Sequence, residues 1–180
     1  GSDYTMDSVQ AAGFEALDKS GGGTVTLTGH WDGYTGGATI RGGTLHLTEG
    51  ASISARMNVL GGNYRLNGSQ LADTVIGPEG MLSGTGQIGS QALLGDTIKT
   101  SLANSGVVSP GNSIGTLNVW GDYVQDSTGR LDIELGAPGS NDVLDVAGSA
   151  TLDGAVQFIP IDAGVLGEYT FLRAAGGVNG

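Results

Sequence analysis

The sequence predicts an all-β solenoid, a parallel β-helix of about twenty residues per coil. Three observations carry that expectation. Gly22-Gly23-Thr24-Val25-Thr26-Leu27-Thr28 recurs twenty positions on as Gly42-Gly43-Thr44-Leu45-His46-Leu47-Thr48, and nineteen further on as Gly61-Gly62-Asn63-Tyr64-Arg65-Leu66-Asn67. Each copy is two glycines followed by polar–apolar alternation, the period of a strand with one buried face. The fixed recurrence is the mark of stacked coils, none of which can bury its apolar side alone.

Stacking puts Val25, Leu45 and Tyr64 in one inward column and Leu27, Leu47 and Leu66 in another. Glycine supplies 35 residues and proline only four, while Thr, Val, Ile and Leu stay patterned, so the glycines read as corners between strands. A disordered Gly-rich tract lacks such periodicity.

The remaining elements follow in order. Asp7 to Lys19 carries Val9, Ala12, Ala16 and Leu17 near helical spacing, weakened by Gly13; it is the one helix candidate. Residues 91–104 show no clear period. Alternation returns at Leu117 and Val119, at Leu131, Ile133 and Leu135, at Leu144 and Val146, and at Leu152. Residues 155–161 and 169–173 read as closer, more apolar strands. A solenoid needs an atypical end that covers its core and blunts its edge, so the last forty residues are the natural cap, with hairpins as one form of it.

Composition excludes several roles. Net charge is −11 and the seven basic residues are dispersed, against nucleic-acid binding and against attraction to an anionic membrane. The absence of cysteine removes disulfides, thiolate metal sites and cysteine nucleophiles together. No apolar run reaches membrane-spanning length. Gly1-Ser2 reads as a vector remnant, which makes the chain a piece excised from a longer one.

Candidate chemistry is sparse. Leu82-Ser83-Gly84-Thr85-Gly86-Gln87-Ile88-Gly89 holds the G-x-G-x-x-G spacing of a dinucleotide loop, but lacks the preceding strand, the following helix and the downstream acid. His46 falls on an outward phase and His30 in a turn-like stretch, neither with a partner at ligand spacing. Asp132 and Glu134 lie two apart on an outward face, roughly 7 Å from each other by strand geometry, a separation that suits an inverting glycosidase. Asp142 and Asp145 are also near, yet only Arg130 is a local cation, so a solvated face is the simpler reading. No calcium nonapeptide or EF-hand pattern is present. Trp31 with Tyr34, and Trp120 with Tyr123, flank turns. Trp120 is out of phase with Leu117 and Val119. Packing at a corner or under the cap is the simpler reading for these rings, and carbohydrate stacking or partner binding the sharper one.

Residues 16–49 resemble the passenger-associated repeat of bacterial autotransporters. The matching positions are Lys19, Gly21, Gly23, Thr24, Tyr34-Thr35-Gly36-Gly37 and Gly42-Gly43-Thr44-Leu45. Residues 82–180 resemble the segment at the C-terminal end of many such passengers, most specifically in Ser109-Pro110-Gly111-Asn112-Ser113-Ile114-Gly115-Thr116-Leu117. His30-Trp31-Asp32 is an unusual lead into the repeat, and residues 50–81 match less well. The resemblance implies the last coils of a right-handed β-helix and a cap: a lead-in over 1–20, repeat-bearing coils over 21–105 and autochaperone-like coils over 106–180. It implies folding rather than catalysis, no cofactor or metal, and upstream coils and a C-terminal β-barrel as partners, with host-cell or self contacts as a further role. The residues expected to matter are then structural. Pro110, Gly111 and Asn112 make a sharp turn, Trp120 and Tyr123 pack the cap, and Leu117, Val119, Leu131 and Ile133 face inward.

Overall fold

The computed structural model describes residues 2–8, 15–34, 36–91, 98–163 and 166–180. Every described element is a strand. The first coils hold β1 (Tyr4–Asp7), β2 (Ala16–Lys19), β3 (Thr24–Thr28), β4 (His30–Trp31), β5 (Gly37–Ile40), β6 (Thr44–Leu47) and β7 (Ser52–Ile53). Two long strands, β8 (Met57–Leu66) and β10 (Thr74–Gly84), bracket β9 (Ser69–Gln70). Then come β11 (Gln87–Ile88), β12 (Leu102–Asn104), β13 (Val107–Pro110), β14 (Thr116–Val119), β15 (Tyr123–Gln125) and β16 (Arg130–Leu135). The last are β17 (Val143–Val146), β18 (Ala150–Leu152), β19 (Ala155–Pro160), β20 (Leu172–Ala174) and β21 (Val178–Asn179).

All named strand pairs are parallel and link one coil to the next, which makes a three-faced parallel β-helix. On the first face the register stacks Val25, Leu45, Tyr64, Leu82, Val108, Leu131 and Val156 inward. The two columns expected from the repeat are both present, since Leu27, Leu47 and Leu66 align as well. The second face stacks Trp31, Ile53, Gln70, Ile88, Val119, Val146 and Ala174. The third stacks Leu17, Ala38, Met57, Thr74, Leu102, Tyr123, Ala150 and Val178. These columns make one buried core along the axis.

Coil length is uneven. The first-face column advances by twenty, nineteen and eighteen residues up to Leu82, then by twenty-six, twenty-three and twenty-five. Gly77 and Pro78 shift the register inside β10, where a bulge absorbs a proline that cannot donate to a ladder.

Three expectations change. Ala16–Lys19, the end of the supposed helix, is a strand paired with β5, because coil-to-coil hydrogen bonding outweighs a weak helical spacing; residues 9–14 of that stretch lie outside the described ones. Residues 102–104 of the unread stretch form β12, and 92–97 lie outside the described residues. Among the described residues the last forty form no hairpin. β19, β20 and β21 pair in parallel with β16, β17 and β18 and add a further coil, whose end leaves Phe158 48% and Val178 55% exposed.

Candidate functional site

The Ser109–Thr116 stretch is held by its backbone geometry and by hydrogen bonds from neighbouring coils. Gly111 sits at φ +97°, exchanges backbone hydrogen bonds with Gly84, and has the Ser113 carbonyl where a Cβ would stand, so only glycine fits. Pro110 is buried at the end of β13, and Asn112 donates from Nδ2 to Asn67 Oδ1 at 2.9 Å. Asn67 in turn meets His46 Nε2 at 3.1 Å. From beneath, Asp142 is fully buried and accepts the Gly115 and Glu134 amides, each at 2.9 Å. Burial pushes its carboxyl up to about 6, against the two amides that lower it, and the Glu134 charge adds to the rise. In the linear sequence Asp142 stands out only as a possible acid; in the fold it ties the loop to β16.

Leu117, Val119, Leu131 and Ile133 all lie in the core. Tyr123 is buried on the third face, bonded to Asn104 and Gln125. Trp120 is half-buried on the outward side, where Nε1 donates to Gln87 Oε1 at 3.2 Å. Trp31 is 3% exposed and caps its column from within, with Nε1 bonded to the Thr28 carbonyl.

Of the suspected acid pair, Glu134 keeps a buried Oε2 without a hydrogen-bond partner among the described residues, whereas Asp132 is tied up. Asp132 is 7% exposed and takes both Nε and Nη2 of Arg130, at 2.6 and 2.9 Å, so its charge is neutralised within its own strand. Asp145 pairs with Arg173 at 3.4 Å across adjacent coils. The first follows from alternation, which puts residues two apart on one face of a strand, and the second from parallel register, which sets Asp145 beside Arg173.

A Ser–His–Asp cluster, invisible in the linear sequence, joins two coils. Ser52 donates to Asp32 Oδ1 at 2.5 Å and meets His30 Nδ1 at 2.9 Å. Its hydroxyl proton is committed to the carboxylate, and the imidazole Nδ1 faces the serine rather than the acid, so the relay order of a hydrolase is missing. It is a corner latch between β4 and β7. Among the described residues no group of three potential metal ligands is assembled.

The glycines of the dinucleotide-like stretch have a packing role. Added Cβ atoms at Gly84, Gly86 and Gly89 would lie 2.0, 2.4 and 2.4 Å from carbonyls of Leu66, Gly68 and Ile98. Close stacking of coils requires all three to be glycine.

Residues 17–47 match the family model of the passenger-associated-transport-repeat. Over 181 aligned residues the chain is 28% identical to a protein of Serratia marcescens named extracellular serine protease. That alignment covers 94% of this chain and 14% of the relative, so the chain spans about one-seventh of that protein's length. The repeat explains the local build. Lys19 is 6% exposed and its ammonium donates to the carbonyls of Ser20, Gly21 and Gly42, at 3.1, 2.8 and 2.8 Å, holding two successive glycine corners together. The chain thus carries the passenger-associated-transport-repeat in its first coils and is similar to that extracellular protein through nearly all the rest of the β-helix, which supports reading it as an autotransporter passenger segment.

Proposed function

We propose that this segment nucleates and stabilises β-helix folding of its parent passenger during secretion and is not itself catalytic. One observation carries the reading: the inward columns run from coil to coil as one continuous buried core. A cavity of about 220 Å³ is lined by Met6, Leu17, Lys19, Val25, Trp31 and Tyr34. A solenoid gains stability from nearest neighbours, so a formed stack lowers the barrier for the coil that joins it. Of the groups a catalytic reading would use, Asp132 is tied to Arg130 and Ser52 to Asp32. As part of an autotransporter passenger the segment works at the cell surface or after release from it, with upstream coils and a translocating barrel as its covalent neighbours.

Deleting residues 106–180 from the parent tests the proposal. The truncated passenger is expected to be protease-sensitive or unexported. Secretion of a folded, protease-resistant passenger at normal yield would overturn it.

A further inference from the structure

One outward cleft has a composition that packing alone does not require. Trp120 follows β14, and the ladder places it beside Gly89 on one side and Ala147 on the other, with Ala175 beyond. The indole stands in a column of glycine and alanine and is partly exposed. Its N–H is already spent on Gln87, so what it offers a ligand is the apolar ring.

Beside it lies a cavity of about 290 Å³ lined by Lys99, Ser101, Trp120, Gly121, Asp122 and Gly148. The floor cannot fill in. A Cβ on Gly121 would stand 2.3 Å from the Thr100 carbonyl, and one on Gly148 would stand 2.3 Å from Asp122 Oδ1. The rim is charged on two sides. Asp122 Oδ1 accepts both the amide and the hydroxyl of Ser149, at 2.7 and 2.9 Å, which fixes the carboxylate and leaves Oδ2 without a hydrogen bond among the described residues. Those two donors also hold its carboxyl below the usual range, so it stays an acceptor near neutral pH. Lys99 makes no hydrogen bond or close ion pair among the described residues, though its charge adds a smaller part to the lowering of the Asp122 carboxyl.

We propose that this cleft is a binding subsite for one sugar ring of a neutral glycan. A ring's C–H face suits the indole, and its hydroxyls both donate to Asp122 and accept from Lys99 and Ser101. The opposed charges select against anions, as does the acidic chain as a whole. The volume accommodates a single ring, with the rest of a glycan running over the surface. The site is separate from the folding role proposed above.

Fluorescence offers a direct test, because Trp31 is sealed and Trp120 is the tryptophan that acrylamide can reach. The probes are methyl α-mannoside, methyl β-galactoside, methyl β-glucoside and N-acetylglucosamine, with sialyllactose as the anionic arm and glycylglycine as the zwitterionic control. At least one neutral sugar is expected to shield Trp120 saturably, and Lys99→Ala and Asp122→Ala to weaken that binding by about tenfold or more. Asp122→Asn, which keeps an acceptor for Ser149, stands in if the alanine variant fails to fold, with the same expectation. Absence of saturable shielding by every neutral sugar up to about 100 mM would overturn the proposal. So would shielding that survives in both variants, or that only sialyllactose or glycylglycine produces.

Discussion

Asp142 shows how one side chain makes a loop depend on pH. Its carboxyl rises from an ordinary 3.8 to about 6 in the folded chain, chiefly through burial. Between those values the folded state binds more protons than the unfolded one, so this group's contribution to stability falls as pH rises from about 4 to 6. Asp126 works in the opposite sense: hydrogen bonds from Ser105 and Thr128 hold it down to about 2, so what it contributes is lost only as pH falls toward that value. The difference between the wild-type chain and Asp142→Asn isolates the first effect. Urea midpoints of the wild type, measured from pH 4.5 to 7, are expected to drop relative to those of the variant as pH rises. Parallel curves would mean that Asp142 is already ionised in the fold at the low end of that range.

At the scale of the strand, two buried Tyr–Gln pairs repeat one device. Tyr64 donates to Gln70 Oε1 at 2.9 Å, while Gln70 Nε2 donates to the carbonyls of Ala55 and Ala72. Tyr123 donates to Gln125 Oε1 at 2.8 Å, while Gln125 Nε2 donates to the carbonyls of Asp153 and Ala155. The second pair reaches forward and pins the turn that leads into the last coil. Gln125→Ala leaves those carbonyls and the Tyr123 hydroxyl short of partners, at a cost of about 2–3 kcal/mol. Because a solenoid's stability is local, hydrogen exchange is expected to rise about tenfold or more over residues 150–160 and to stay unchanged over 24–66. A uniform rise along the chain would contradict that locality. These pairs also mark the limit of what the sequence discloses. Val25, Leu45 and Tyr64 were legible as a column because their spacing is nearly constant and their phase apolar. Lys19, Gln70, Asn104 and Gln125 occupy inward positions too, yet a polar residue inside reads as a turn or an outward face when only polarity is followed. The sugar-sized cleft was half legible: Trp120 announced its outward phase, whereas Lys99, Asp122 and Gly148 meet only through a coil register that no local pattern specifies.

For the whole molecule, the ends matter more than the middle, since every inner coil is covered on both sides and the last described coil on one. Phe158 packs edge-on against Phe171 at 5.1 Å, and both stand at the open end of the core. Such an end, with unpaired strand edges, invites a second copy to add head to tail. β19 is partly blunted against this. The amides of Ala155 and Ile161 donate back to Gly129 and Leu135, so by the two-residue alternation those of Val156 and Phe158 face the free edge. The next outward position is Pro160, which has no amide to offer. Pro160→Ala restores that donor without adding apolar bulk. It is expected to raise self-association of the purified chain, seen in sedimentation velocity as a larger dimer fraction at about 100 µM than the unsubstituted chain shows. If the two chains sediment alike, the proline is not what guards the edge, and the exposed aromatic pair becomes the element to change.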